Sequence, residues 1–339
     1  MAGIVSYGFY VPKYRIKIEE IARVWGKDSL AIKKSLMIEE KAIACLDEDS
    51  LTMAFEAASI ALAGFDKKEK IKVVFFGSET PPYAVNPVST ILSQFLGIEE
   101  NYLANDHQFA CKAATGAIIS AIGLIGTGFT DYALVTASDK AVAKTHDILE
   151  YTVASGSVSL LLGKDDLVAE IVNFDSFSSD TPDFWRREGI RYPSHGGRFT
   201  GKPSYFYHIK KASELLLRKT GMKPTDFKFA VFHMPNGKFP LEVGQSLGFT
   251  KEQLTPGLVV NYLGNSYTAS SLMGLVAVLE KAKGEDLIFL ASYGSGAGSD
   301  VFIFKATKNL AKKRKQFSSL IKEKEYIDYS IYLKFMNII

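Results

Sequence analysis

Only two cysteines, Cys45 and Cys111, occur in 339 residues, too few for a disulfide framework. Together with an N-terminus that lacks a signal-like pattern, this sparing use points to a reducing, cytoplasmic setting. No large surplus of one charge exists either: 40 Lys and Arg face 37 Asp and Glu, for a net charge of +3. A nucleic-acid binder is therefore not indicated. Long apolar runs are missing, and the best of them, residues 117–129, is too short to span a bilayer and reads as a buried core helix. Five histidines (His107, His146, His195, His208, His233) are scattered without paired helical spacing or cysteine partners, so no metal site is expected. Gly-x-Ser-x-Gly is absent, which argues against a serine hydrolase elbow. The glycine-rich stretch 294–299 leads into another strand, leaving no helix N-terminus for a dinucleotide pyrophosphate.

What remains is 47% hydrophobic and 23% charged, enough for two ordinary domains or one large duplicated α/β unit. The stretch from Asp106 to Gly128 organises it, setting Cys111 just ahead of an apolar helix rich in small residues. Free N–H groups and the positive dipole end of a first turn are expected to lower a thiol's pKa. The plainer alternative is a small buried hydrophobe.

In chain order, residues 3–11 read as a strand ended by Pro12, residues 18–25 as a helix and residues 25–29 as a loop. A capping-type start at Asp49 opens a helix over 51–63, followed by a strand over 71–76 that ends in Gly77-Ser78-Glu79. A helix over 88–96 closes at Gly97, and the Cys111 helix leads to a strand over 132–137. The second half repeats this order. A strand over 229–232 runs into His233-Met234-Pro235-Asn236-Gly237 and a helix ending at Leu247-Gly248; the stretch from Asn265 to Ser271 then opens a small-residue helix leading to a strand over 287–292. Ser266 lies as far from Asp286 as Cys111 from Asp131, so the two units are expected to superpose without a gap. Such duplication implies two similar α/β halves, residues 1–165 and 166–306, followed by a basic and aromatic tail, 307–339. Their loops should meet at a site collecting Glu79, Cys111, His233 and Asn265.

Residues 176–207 read as a long loop carrying Arg186, Arg187, Arg191, Arg198 and Lys202, the kind of segment that supplies binding residues. The turn at Ser295 is compatible with both a tight hairpin and an oxyanion site made of backbone N–H groups. Tyr326, Tyr329 and Tyr332 in the tail need a surface to cover them, which sets partner docking against a solvated, fraying helix.

Gly-Ser-Glu at 77–79, Phe-Ala-Cys-Lys-Ala-Ala-Thr at 109–115, Phe-His-Met-Pro-Asn-Gly-Lys-Phe-Pro at 232–240, Gly-Asn-Ser-Tyr at 264–267 and Ser-Tyr-Gly-Ser-Gly-Ala-Gly-Ser-Asp at 292–300 accompany two more specific segments, 179–189 and 195–201. With these the sequence resembles the thiolase superfamily and, within it, the archaeal hydroxymethylglutaryl-CoA synthases, from about Gly3 to the end. The resemblance implies a five-layered αβαβα fold. It also implies an acyltransferase of the mevalonate pathway to isoprenoids, with acetyl-CoA and acetoacetyl-CoA as substrates and no cofactor. Cys111 would carry the acetyl group, Glu79 would deprotonate its methyl and His233 would polarise the ketone. Asn265 and Ser295 would hold carbonyl oxygens; Thr200, Thr152, Asp28 and Ser29 match substrate-contacting positions, and Arg198 and Lys238 match CoA-binding ones. A cytoplasmic homodimer is implied, as is a complex with an acetoacetyl-CoA thiolase and a zinc-ribbon, OB-fold protein, with the tail as the docking segment. Glu242, one helical turn after Lys238, departs from the family's basic residue; Met234 replaces a common glutamine. Thiolases need a second cysteine at the last glycine-rich turn, where this chain has Ser295. A ketoacyl synthase III-like acyltransferase of the same fold does without the glutamate, and a catalytically silent scaffold would need neither.

Overall fold

A computed structural model describes residues 2–339. Nine strands form the large sheet: Gly3–Tyr10 (β1), Ile71–Gly77 (β2), Leu103–His107 (β3), Tyr132–Lys140 (β4), Ser155–Gly163 (β5), Ala169–Thr181 (β6), Phe229–Phe232 (β7), Leu287–Ala291 (β8) and Gly296–Ala306 (β9). Their order is β7-β8-β9-β6-β1-β5-β4-β2-β3. Outward from the middle, the first half therefore reads β1-β5-β4-β2-β3 and the second reads β6-β9-β8-β7. Each strand has a counterpart except β3, whose place in the second half is taken by a helical turn, Val260–Leu263. Within the large sheet the halves join where Gly3 and Ile4 face Glu170 and Ala169.

Six helices sort into layers: Ser50–Leu62 (α1), Val88–Leu96 (α2), Ala113–Gly126 (α3), Tyr207–Thr220 (α4), Lys238–Ser246 (α5) and Ser270–Leu279 (α6). Successive strand residues face opposite sides, and the core follows this alternation. Val74, Phe76 and Leu134 pack with α1 and α2 on one outer face. Phe232, Phe289 and Ile303 pack with α4 and α5 on the other. Val73, Phe75, Val231 and Leu290 turn inward to a cluster holding α3 and α6 together. All ten residues of α6 are buried, and α3 buries Ala113, Ala114, Ala117 and Ala121. Small side chains let these two helices lie between two sheet faces. The result is the αβαβα layering expected from the sequence.

Local expectations hold where capping decides them: Asp49 and Thr52 form a reciprocal capping box at the start of α1, and Gly97 ends α2 in the left-handed region. Four readings need correction. The loop read at 25–29 holds only to Asp28, because Ser29 already opens an unread helix, Ser29–Leu36, capped by Asp28. The long loop from 176 is shorter than expected, because β6 runs to Thr181 and residues 201–206 are already helical. The duplicated helix starts differ by two residues: both open on a 3-10 turn whose first residue has positive φ, Ala110 and Tyr267, so Cys111 corresponds to Thr268 and not to Ser266. The shorter α6 absorbs the difference.

The fourth correction concerns the tail. Residues 325–326 pair in parallel with Tyr14–Lys17, which pairs with Glu40–Ile43 in a small sheet. Phe317, Ile327, Tyr329, Tyr332 and Met336 are buried in the central core. Phe317 packs tilted against Phe9, ring centres 5.1 Å apart, and the Tyr329 hydroxyl donates to Glu150 at 2.7 Å. Tyr329 and Tyr332 thus spend their surface on the chain's own body, and Tyr326, about half exposed, donates its hydroxyl to Glu40 at 2.7 Å.

Candidate active site

The ends of β2 and β7 and the starts of α3 and α6 converge on a cavity of about 270 Å³. Its walls include Cys111, Thr152, Thr200, His233, Asn265 and Ser295, with Leu36, Phe184, Tyr205, Phe239, Tyr267 and Tyr293 supplying much of the apolar surface. Two glycines make the convergence possible. A Cβ on Gly77 would stand 2.5 Å from the Ala114 nitrogen, and one on Gly294 would stand 2.5 Å from the Phe109 carbonyl oxygen. Side chains there would push the Glu79 loop and the Ser295 turn off the Cys111 turn. The Ser295 turn is a hairpin closed by reciprocal Gly294 and Gly298 backbone bonds, which settles the local structure and still leaves Ser295 facing the cavity.

Cys111 sits on the 3-10 turn and is 7% exposed. The expectation of a lowered thiol pKa is overturned: burial pushes it well above its ordinary value, and the Glu79, Asp139 and Asp183 carboxyls add to the rise. A first-turn dipole cannot offset desolvation combined with three carboxyl groups. The resting thiol is therefore neutral, and after burial the Glu79 carboxyl acts on it most strongly. Glu79 is itself held above the usual carboxylate range, by burial first and Asp139 second, while the thiol and Arg186 pull the other way. One of its oxygens, Oε1, is occluded and has no hydrogen-bond partner. Its backbone is pinned on both sides: the Glu79 N–H donates to Asp139 at 2.8 Å, and Arg186 donates to the Glu79 carbonyl at 2.9 Å.

His233 follows β7 directly, and its backbone N–H donates to the Ala291 carbonyl at 2.8 Å, so the end of β8 sets its place. The Tyr205 hydroxyl donates to its carbonyl at 2.6 Å. Burial drives the imidazole's pKa down to about 3; it is neutral in the working range, and its buried Nδ1 lacks a partner. Asn265 is locked by backbone bonds to the Thr152 carbonyl and from Ala154, while its Oδ1 accepts from the Tyr267 N–H at 3.0 Å. The amide NH₂ is left to meet a ligand.

Other sequence candidates lie elsewhere. Asp28 is an exposed helix cap accepting from Leu30 and Ala31, and neither it nor Ser29 lines the cavity; the far end of that helix, Leu36, does. Arg198 lines an outer pocket of about 370 Å³ that shares Gly197, Thr200 and Phe239 with the inner cavity. Glu242 faces the same outer pocket, whereas Lys238, exposed at the start of α5, is not among its walls. Sequence reading missed Asp139 and Asp183. Asp139 Oδ1 accepts from Ser78, Glu79 and Thr80, and its Oδ2 from the Thr268 N–H; Asp183 accepts from the Tyr293 hydroxyl and the Gly296 N–H. The available signal was a carboxylate closing an apolar strand, Thr136-Ala137-Ser138-Asp139. Among the described residues no three His, Cys, Asp or Glu side chains form a metal cluster.

The duplicated layers and shared cavity define a thiolase-like protein. Residues 217–305 match the family described as 3-Oxoacyl-acyl-carrier-protein (ACP) synthase III C terminal. A hydroxymethylglutaryl-CoA synthase of Methanosarcina barkeri is 51% identical, the match covering 98% of this chain and 97% of the relative. One from Methanocaldococcus jannaschii is 48% identical, with 99% and 98% covered. A crystal structure described as HMG-CoA synthase complexed with CoA matches with a TM-score of 0.91 at 25% identity, covering 98% of this chain and 90% of that one. The chain belongs to the hydroxymethylglutaryl-CoA synthase family.

Proposed function

We propose that Cys111, Glu79 and His233 carry out the synthase reaction, in which acetyl-CoA and acetoacetyl-CoA condense to 3-hydroxy-3-methylglutaryl-CoA. The observation behind this assignment is their grouping: Cys111 and His233 line one cavity, both neutral, and the Glu79 carboxyl, though not among its walls, acts directly on the thiol. The Cys111 sulfur bonds to the acetyl carbonyl carbon, and CoA leaves as its thiol with the proton Cys111 gives up. Acylation removes the thiol that had held the Glu79 pKa down, so the Glu79 carboxylate becomes a stronger base just when a methyl proton must be taken. The enolate carbon then bonds to C3 of acetoacetyl-CoA; His233 gives its N–H proton to the developing alkoxide and recovers the proton that Glu79 took from the methyl, so both groups return to their starting forms. Asn265 and the backbone at Ser295 hold carbonyl oxygens. Water finally cleaves the acyl–sulfur bond, releasing the product and restoring the thiol.

A ketoacyl synthase reading fits the match at 217–305 but leaves Glu79 without work, and a silent scaffold leaves all three groups without any. Thr200 and Thr152 are the proposed substrate contacts, and Arg198 and Lys238 the cations for CoA phosphates, with Glu242 tempering them. No cofactor enters these steps. We place the enzyme in the mevalonate pathway, in the cytoplasm; no helix among the described residues is long and apolar enough to cross a membrane. A homodimer is supported by β3, an edge strand beside Phe95, 71% exposed, and Leu103, 41% exposed. Association with an acetoacetyl-CoA thiolase and a zinc-ribbon, OB-fold protein belongs to the same proposal, but the buried Tyr329 and Tyr332 are not available for it.

The test is steady-state turnover of the purified protein with both CoA thioesters, following free CoA and product by chromatography. Equal release of one CoA per hydroxymethylglutaryl-CoA supports the assignment, provided Cys111→Ser abolishes both. Turnover with an acyl-carrier-protein thioester in place of acetoacetyl-CoA, and none with the latter, sinks it in favour of the ketoacyl reading.

A further inference from the structure

Directly after the nucleophile, the sequence places a lysine whose charge goes inward. The side chain of Lys112 is 7% exposed, and its Nζ lies 3.0 Å from Oδ1 of Asp300, whose side chain is 1% exposed. Asp300 is satisfied on both oxygens: Oδ1 also accepts from Ser176 at 2.7 Å, and Oδ2 accepts from Thr115 at 2.7 Å. The ammonium rests 4.1 Å from the centre of the Phe109 ring. Taking two charges out of water is costly, and an apolar pair of similar volume would commonly be as stable or more so. Stability is thus a weak reason for this pair.

Its placement suggests a better one. Lys112 belongs to the turn that carries Cys111, and Asp300 lies on β9, the strand that leaves the Ser295 turn. Gly294 and Gly298 are packed so closely on the lysine stem that a Cβ would come 2.6 Å from its Cγ and 3.0 Å from its Cε, respectively. The ion pair and the two glycines together fix how far the sulfur stands from the backbone N–H groups that receive the thioester oxygen. We propose that Lys112 and Asp300 are positioning residues that set the nucleophile against the Ser295 turn. Neither touches the substrate. This inference rests on the reading of Cys111 as the acetylated nucleophile.

The experiment uses the full chain and follows acetylation of Cys111 by acetyl-CoA in rapid-quench mass spectrometry, alongside urea unfolding. Three variants are compared: Asp300→Asn, Lys112→Met and the double Lys112→Met, Asp300→Asn. Each single variant strands one polar partner and should lose both stability and rate. Removing both partners should restore the unfolding midpoint to near the native one, while acetylation stays slower by roughly 10²-fold, the loss expected of a displacement of about 1 Å at a reacting centre. The apparent KM for acetyl-CoA should move less than threefold, since no substrate contact is removed. A double variant that regains stability and acetylates within twofold of the native rate overturns the inference and leaves the pair a structural one. If the double variant fails to recover stability, the comparison passes to Asp300→Glu, which keeps the charge: recovery of its midpoint together with the native rate overturns the inference, and a native midpoint with slowed acetylation supports it. A native protein that is not acetylated at all would instead overturn the reading of Cys111.

Discussion

Changing the pH should reveal His233 directly through stability. Its imidazole takes up protons near 6.5 in an unfolded chain but only near about 3 in the folded one. Below pH 6.5 the unfolded state therefore binds a proton that the native state refuses. Its contribution is fully present above pH 6.5 and is lost progressively as pH falls toward 3. Between about pH 7.5 and about pH 5 the loss from this one group amounts to about 2 kcal/mol. Urea unfolding of the native protein and of His233→Asn at both pH values isolates it, because every other titrating group is common to the pair. The variant should be less stable at neutral pH, since a buried ring is lost, yet its stability should fall by about 2 kcal/mol less on acidification. Parallel pH dependences would refute the reasoning, and with it the neutral imidazole on which the ketone-polarising step depends.

Glu79→Gln should keep acetylation of Cys111 but slow condensation by about 10²–10⁴-fold, seen as acetyl-enzyme that persists after acetoacetyl-CoA is added. Asp139→Asn removes a negative charge that raises the Glu79 pKa, so Glu79 should ionise at lower pH and the acidic limb of the pH–rate profile should move down; a limb that stays or moves up contradicts this. Tyr332→Ala, at a position 1% exposed in the core, should cost about 3–5 kcal/mol in urea unfolding, whereas a free tail would register nothing. Leu103→Lys on the edge strand should shift sedimentation toward a monomer, and an unchanged profile removes that edge from the proposed dimer.

The layers were legible because they rest on short-range pattern. Short continuous apolar runs rich in valine and phenylalanine in 71–77 and 229–232 declared strands, and small-residue runs after Cys111 and Asn265 declared helices able to lie between two sheet faces. Glu79, Cys111, His233 and Asn265 stood out because each sits where an element ends or begins. The remainder depended on distance. Ser29–Leu36 carries two lysines and buries none of its residues, so only its Asp28 cap could announce it. The thiol's titration turned first on burial and then on Glu79, Asp139 and Asp183, carboxyls distant in sequence, against a dipole argument drawn from its immediate neighbours. The tail's tyrosines asked for a surface, but nothing local said that Glu150 and the central core would provide it. The two-residue offset between the halves was hidden because Ala110 and Tyr267, rather than glycines, adopt the left-handed turn.

Intact-protein mass after acetyl-CoA alone tests the central claim most directly. One acetyl group should appear on the native chain, none on Cys111→Ala, and it should leave on addition of acetoacetyl-CoA as hydroxymethylglutaryl-CoA forms. A native protein that stays unmodified, or an acetyl group that persists on Cys111→Ala, would contradict the account.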